Sequence, residues 1–112
     1  MKNITEDFKY LFHEGKNYRA YEYLGAHLEK ENGKNGVRFT VWAPNAETVK
    51  VIGEFNQWQG KNHKMKKIKN SELWSLFIPG LTRGTIYKYK IKGDNGEVRH
   101  KADPYGFYAE DS

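Results

Sequence analysis

Residues 36–46 read GVRFTVWAPNA and carry the clearest sign of the fold of this 112-residue chain. Val37, Phe39 and Val41 are apolar and alternate with other residue types, which is the two-residue period of a half-buried β-strand. Residues 43–46 then interrupt the pattern, because proline and asparagine favour turns over strands. A strand followed at once by a turn predicts an all-β domain if the same unit recurs along the chain.

The unit does recur towards the C-terminus. Further strands are predicted over residues 49–53, 65–68, 74–78, 86–92 and 98–102. Glycine-rich segments at 33–36 and 93–96 mark hairpins, and Asn95-Gly96 is a strong signal for a hairpin turn. Short strands at this spacing predict an immunoglobulin-like β-sandwich of about seven short antiparallel strands.

The N-terminal part of the chain has a different pattern. Thr5 followed by Glu6 and Asp7 is typical of a helix start, and Gly15 of a helix end. A short N-terminal helix is therefore expected over about residues 5–14. The expected organisation is a helical and extended lead-in over 1–23, a β-sandwich over 24–102 and an aromatic linker over 103–112.

Length and composition limit the class of protein. The chain is too short for a barrel enzyme, which needs roughly 200 residues, but its 38% of hydrophobic residues can form one core. It has no cysteine, no membrane-spanning apolar run and no secretory signal, so we expect a cytoplasmic protein without a membrane partner. The net charge of +5 is interpreted as solvated surface, densest at residues 61–69. Nucleic-acid binding ranks far behind.

The sequence carries no recognisable catalytic pattern. The 14 acidic residues are scattered, and glycoside chemistry needs two facing carboxylates. Glu54 and Asp103 lie near turns and are interpreted as turn formers. Four histidines show no metal-ligand spacing; they are His13, His27, His63 and His100. We therefore predict no catalytic residue, no metal and no cofactor.

The most specific stretch is the loop GEFNQW at 53–58. VWAPNA, GEFNQW, FIPGL, YKYKI and an Asn-Gly hairpin, taken in that order, resemble the carbohydrate-binding modules of family 48. Such modules precede the barrel in branching and debranching enzymes of the α-amylase superfamily and serve as the glycogen-binding domain of the AMP-activated kinase. The resemblance runs from Leu24 to Ala109. The segments YLGAH and KADPYGFYAE resemble bacterial glycogen branching enzymes in particular.

The resemblance implies a glucan site on this loop. Trp58 holds the place of the family's tryptophan, which stacks on a glucose ring, and an indole is a large flat partner for the apolar face of a sugar. Lys88 matches a lysine that hydrogen-bonds sugar hydroxyls. Asn56 matches an asparagine that either shapes the loop or contacts hydroxyls. The alternatives are a Trp58 packed under its own loop and a solvated Lys88, and no second tryptophan follows Lys92 to close the site.

The remaining aromatic residues are assigned to packing. Trp74 alternates with Leu76 and Ile78 and is expected in the core. Trp42 points the other way and is a candidate either for packing on another domain or for closing over the Pro44 turn. Three residues near the C-terminus are candidates for docking on a catalytic barrel: Tyr105, Phe107 and Tyr108.

The resemblance also implies the activity of a parent enzyme. Such an enzyme moves α-1,4-glucan chains to 6-hydroxyls through a covalent glycosyl-enzyme intermediate on its barrel. The present domain would be non-catalytic, with an α-glucan and the barrel of the same chain as its partners. Two alternatives stay open: a purely structural domain that binds no sugar, and the same module from a debranching enzyme or a trehalose-forming hydrolase.

Overall fold

The computed structural model describes residues 23–107, which form two antiparallel β-sheets. Its strands are β1 Gly25–Glu31, β2 Lys34–Trp42, β3 Ala46–Gly53, β4 Lys66–Lys67, β5 Leu73–Pro79, β6 Tyr87–Gly93 and β7 Val98–Lys101. The first sheet has the order β1-β2-β5-β4, and the second has the order β3-β6-β7. The all-β prediction with about seven short antiparallel strands is confirmed for this part of the chain. The helix predicted over 5–14 lies outside the described residues.

The core lies between the two sheets and is built from the alternating residues. Val37 and Phe39 on β2 are fully buried, as are Val49 and Val51 on β3. Trp74 is only 7% exposed and its indole N–H donates to the carbonyl oxygen of Ala43, which confirms its expected place in the core. The lysines between 61 and 69 are all exposed, so this segment is solvated as expected.

Strand β1 is the element that the alternation does not reveal. It pairs antiparallel with β2 from Gly25 to Glu31, although the sequence predicts no strand before Gly36. Its sequence, GAHLEKE, has little apolar alternation, and Leu28 is 51% exposed. Pairing with β2 therefore determines this strand more than its own pattern does. The hairpin expected at 33–36 turns slightly earlier, at Asn32-Gly33, where both φ angles are positive.

A second, smaller apolar cluster lies on the outer side of the first sheet. Leu73 is fully buried there because Tyr23 and Leu24 cover it, with Ile68 and Tyr105 at the margin. We call these five residues the outer cluster. It brings the segment before β1 and the segment after β7 onto one face. Across residues 23–107 no helix is long and apolar enough to cross a membrane.

Candidate functional site

A tight turn directly after β3 presents Trp58. Residues Glu54–Asn56 form a single 3₁₀ turn, and Gln57 and Trp58 follow with left-handed φ angles of 54° and 59°. The Trp58 N–H donates to the carbonyl oxygen of Gly53 at 2.8 Å, which closes the turn. The Trp58 side chain is 41% exposed, so part of a flat aromatic face is open to solvent.

Asn56 uses its whole amide group to hold this turn. Its Oδ1 accepts from the Gly53 N–H at 2.9 Å. Its Nδ2 donates to the carbonyl oxygen of Val51 at 3.0 Å and to Nδ1 of His63 at 2.9 Å. Both amide hydrogens are therefore used within the protein, and these contacts favour the loop-shaping role of Asn56 over direct contact with a sugar.

The rest of the loop runs along the free edge of β3. The Val51 N–H donates to the carbonyl oxygen of His63 at 3.0 Å, and the Met65 N–H donates to that of Val49 at 2.8 Å. Lys50 and Lys64 form a bridge between these two contacts. Residues 63–65 thereby cover the edge of the second sheet and hold the C-terminal end of the loop on β3.

The loop also folds over the outer face of the second sheet. Gly60 is buried against the outward side chain of Lys50, and Ile52 is only 3% exposed although it alternates with the core residue Val51. Ile52 pairs with Lys88 on β6. The Trp58 turn, which begins directly after Gly53, and the exposed Lys88 therefore belong to the same end of this sheet.

A substitution at Gly60 should disturb the loop without touching the core. A Cβ atom at Gly60 would lie 2.5 Å from Cβ of Lys50, so the loop or β3 must shift. We expect Gly60→Ala to lower the free energy of unfolding by about 1–3 kcal/mol, as measured by urea unfolding. Gly84→Ala is the control, since a Cβ atom there meets nothing within 4 Å. Equal stability of the two variants would contradict this packing.

Beyond Lys88, the outer face continues as a groove between lysine side chains. It has a volume of about 240 Å³ and is lined by Thr48, Lys50, Lys90, Lys92 and Val98. Lys92 forms an ion pair with Glu47 at 3.3 Å. The lining surface is mostly apolar, so the aliphatic stems of the lysines form much of its walls.

The segment after β7 is bound to its own domain through Asp103. Oδ2 of Asp103 accepts from the hydroxyl of Tyr87 at 2.5 Å and from that of Tyr89 at 2.8 Å, while Oδ1 accepts from the Tyr105 N–H. Asp103 is thus more than the turn former expected from the sequence. Burial, reinforced by the negative charge of Asp103, raises the pKa of Tyr87 and of Tyr89 well above its usual range.

The predicted docking residues differ in their surroundings. Phe107 packs edge-on against Tyr87 with ring centroids 6.3 Å apart, and Tyr105 belongs to the outer cluster, so both rings are partly covered by their own sandwich. Trp42 remains 46% exposed at the end of β2. Tyr108 lies outside the described residues.

No histidine or acidic cluster suited to a metal occurs among residues 23–107. Within this range the exposed indole of Trp58 and the ammonium group of Lys88 belong to the same end of the second sheet. Such groups can stack on and hydrogen-bond a neutral polyhydroxyl ligand.

Comparison with known proteins determines the family. The model of carbohydrate-binding module 48, also described as the isoamylase N-terminal domain, matches residues 23–106. The chain belongs to the carbohydrate-binding module 48 family. This confirms the resemblance seen in the loop and strand motifs. The matched range takes in both sheets, the Trp58 turn and Asp103.

Curated relatives of this family 48 module are branching enzymes. The chain is 54% identical over 106 residues to the 1,4-alpha-glucan branching enzyme of Halothermothrix orenii, covering 95% of this chain and 17% of that protein. It is 48% identical over 101 residues to that of Bacillus subtilis, covering 90% and 16%. The chain therefore spans less than a fifth of the length of these relatives.

Solved structures support the same fold. PulA from Klebsiella oxytoca is 28% identical with a TM-score of 0.54, covering 80% of this chain and 9% of that one. A pullulanase from Paenibacillus barengoltzii, in complex with maltotriose, is 27% identical with a TM-score of 0.52, covering 73% and 12%. The family 48 module is thus similar in structure to parts of much longer chains.

Proposed function

We propose that this module is the non-catalytic N-terminal glucan-binding and positioning domain of a 1,4-α-glucan branching enzyme of glycogen biosynthesis. The observation that carries the proposal is the half-exposed indole of Trp58, held by a turn beside Lys88 on the outer face of the second sheet. The identity of about one half to branching enzymes supports this parent over a debranching enzyme. A cytoplasmic location of the enzyme belongs to the same proposal.

The three residues of the proposed site have different tasks. Trp58 offers an apolar surface to the C–H face of a glucose ring. Lys88 donates hydrogen bonds to sugar hydroxyls. Asn56 holds the turn so that the indole is already placed before the glucan arrives, which reduces the ordering cost of binding. The neighbouring lysine groove extends the surface along which a glucan chain can lie.

A weak site is sufficient for this purpose. A branching enzyme must keep a long glucan chain near its barrel while an acceptor chain is found. A second binding point on the same polypeptide raises the effective concentration of the glucan at the barrel. We therefore assign the domain a holding role, with the chemistry carried out by a catalytic barrel elsewhere in the same polypeptide.

Electrophoresis in gels that contain glycogen tests the proposal. Covering roughly 80 Å² of indole stabilises a complex by about 2 kcal/mol, so Trp58→Ala should weaken glycogen affinity about thirtyfold and abolish retardation of the chain. Trp42→Ala is the matched control, because Trp42 is similarly exposed but lies on the other sheet. Unchanged retardation of Trp58→Ala, or equal loss in both variants, would refute the site.

The proposal also includes packing of the domain on the catalytic barrel of the same polypeptide. Trp42 pairs with Leu73 of the outer cluster, so its exposed indole continues the apolar surface to which Tyr105 contributes. We assign this surface, with Phe107 and Tyr108, to contact with the barrel. If the domain bound no sugar, this contact would be its remaining role. No part of the proposal requires nucleic acid or a membrane as partner.

A further inference from the structure

The contact between Asn56 and His63 fixes the protonation state of the histidine ring. Oδ1 of Asn56 faces the Gly53 N–H, which can only donate, and Nδ2 faces the Val51 carbonyl, which can only accept. The orientation of the amide is therefore determined by backbone groups. Nδ2 also lies 2.9 Å from Nδ1 of His63, so this ring nitrogen must accept a hydrogen bond.

A ring nitrogen that accepts carries no proton. His63 is accordingly a neutral imidazole with its hydrogen on Nε2. A protonated ring would turn an N–H group towards the N–H of Asn56, and the hydrogen bond would be replaced by repulsion. Burial lowers the pKa of His63 and so also favours the neutral form in the folded chain.

The same histidine lies at the centre of the loop that bears Trp58. Its carbonyl oxygen accepts from the Val51 N–H, and its ring packs edge-on against Phe55 with centroids 5.3 Å apart. Asn56 in turn holds Gly53, whose carbonyl oxygen accepts from the Trp58 N–H. An unbroken chain of contacts therefore runs from the imidazole to the backbone of Trp58.

We propose that neutral His63 is a positioning residue for the glucan site, and that protonation of its ring loosens the Trp58 turn and weakens glucan binding. The proposal rests on the proposed function, because it concerns the same Trp58 site. His63 would not touch the glucan. It would act through Asn56, whose amide is correctly placed only while Nδ1 accepts.

Charged side chains also lie on the segments that meet at His63. They are Lys50 on β3, Glu54 on the 3₁₀ turn, and Lys61 and Lys64 in the same loop segment as His63. Between 23 and 107 no hydrogen bond or salt bridge joins the ring to any of these four side chains. Burial is the cause of the lowered pKa of His63.

The expected direction of the pH effect follows from the lowered pKa. Above the ordinary value of 6.5 the ring is neutral in the folded and in the unfolded chain, and the turn keeps its full stability. Below 6.5 the unfolded chain binds a proton that the folded chain resists, so the turn loses stability. As the pH falls through the lowered pKa, the folded ring itself is protonated and the Asn56 contact is lost.

Glycogen-gel retardation at about pH 8 and about pH 5 tests the proposal. The unaltered chain should bind about tenfold more weakly at the lower pH, since a hydrogen bond between Asn56 and His63 is replaced by two opposed donors. The His63→Ala variant should bind glycogen weakly at both pH values. His63→Asn retains a carbonyl oxygen that can accept but does not titrate, so it should restore binding and remove the pH dependence. His100→Asn, on exposed β7, should keep the original pH profile.

The outcomes separate the two proposals. No retardation of the unaltered chain at about pH 8 refutes the glucan site itself. Retardation that is equal at both pH values, or the same pH profile in His63→Asn, overturns the role of His63. A nuclear magnetic resonance titration of the unaltered chain gives an answer even without glycogen. The indole N–H signal of Trp58 should shift over the same pH range as the ring signals of His63. An indole signal that does not change over this range would overturn the proposal.

Discussion

Replacing Asp103 with alanine should lower the free energy of unfolding of the chain by about 2–4 kcal/mol, because two tyrosine hydroxyls lose their acceptor. Tyr89 is fully buried, so its hydroxyl cannot turn to water. Tyr87 is partly buried and also packs against Phe39, with ring centroids 4.7 Å apart. The loss should appear as a lower midpoint in urea unfolding followed by circular dichroism.

Two further variants identify the cause of this loss. Asp103→Asn keeps one carbonyl oxygen and should cost about 1 kcal/mol less than Asp103→Ala. Asp94→Ala removes an exposed carboxylate in the β6–β7 turn and should change stability by about 0.5 kcal/mol at most. If Asp103→Ala were as stable as Asp94→Ala, the tyrosine contacts would not hold the C-terminal segment.

The contribution of Asp103 shows where sequence patterns stop being informative. The carboxylate lies 16 residues from Tyr87 and 14 from Tyr89, and it meets them only because β7 returns along β6. The period-2 pattern over residues 86–92 puts Tyr89 on the face opposite the lysines, since that pattern reports which face of a strand a side chain occupies. The pattern carries no information on which hydrogen-bond acceptor lies next to the tyrosine hydroxyl.

The strands show the same difference between what the sequence pattern predicts and what it does not. Val37, Phe39 and Trp74 were predictable because each lies between two sheets, and burial on one face imposes alternation. Strand β1 was not, because it lies at the edge of its sheet, where solvent accepts polar side chains on either face. Ile52 departs from the alternation in the opposite sense, because it is only 3% exposed although its neighbour Val51 takes the core position.

The residues of the candidate site could be proposed from the sequence, but the contacts that hold its loop in place could not. Trp58, Asn56 and Lys88 follow from the family motif, and the structure brings the Trp58 turn and Lys88 to one end of a sheet face. His63 carries no motif signal of its own, and the absence of metal-ligand spacing argues only against a metal site. Its contact with Asn56 depends on the loop folding back along β3, and no spacing rule predicts that path.

Alkaline pH should destabilise this domain steeply. The pKa of Tyr87 and of Tyr89 is raised in the folded chain, so both rings stay protonated there while the unfolded chain loses these protons above about pH 10. The unfolded chain then binds fewer protons than the folded chain, and stability falls as the pH rises. Each tyrosine should contribute about 1.4 kcal/mol per pH unit, which gives about 2.7 kcal/mol per unit for the pair. Urea unfolding between about pH 9 and pH 12 measures this slope.

Single substitutions show how much a buried tyrosine and the charge of Asp103 each contribute to the pH dependence of the unfolding free energy. Tyr89→Phe removes one of the two titrating rings, so the dependence above about pH 10 should fall to roughly half while the core volume is kept. Asp103→Asn removes the negative charge but leaves both rings buried, and burial is the larger cause of the raised pKa in each. That variant should therefore keep most of the slope. A chain whose stability is flat across this range, or a Tyr89→Phe variant with the full slope, would show that the Asp103 cluster opens before the domain unfolds.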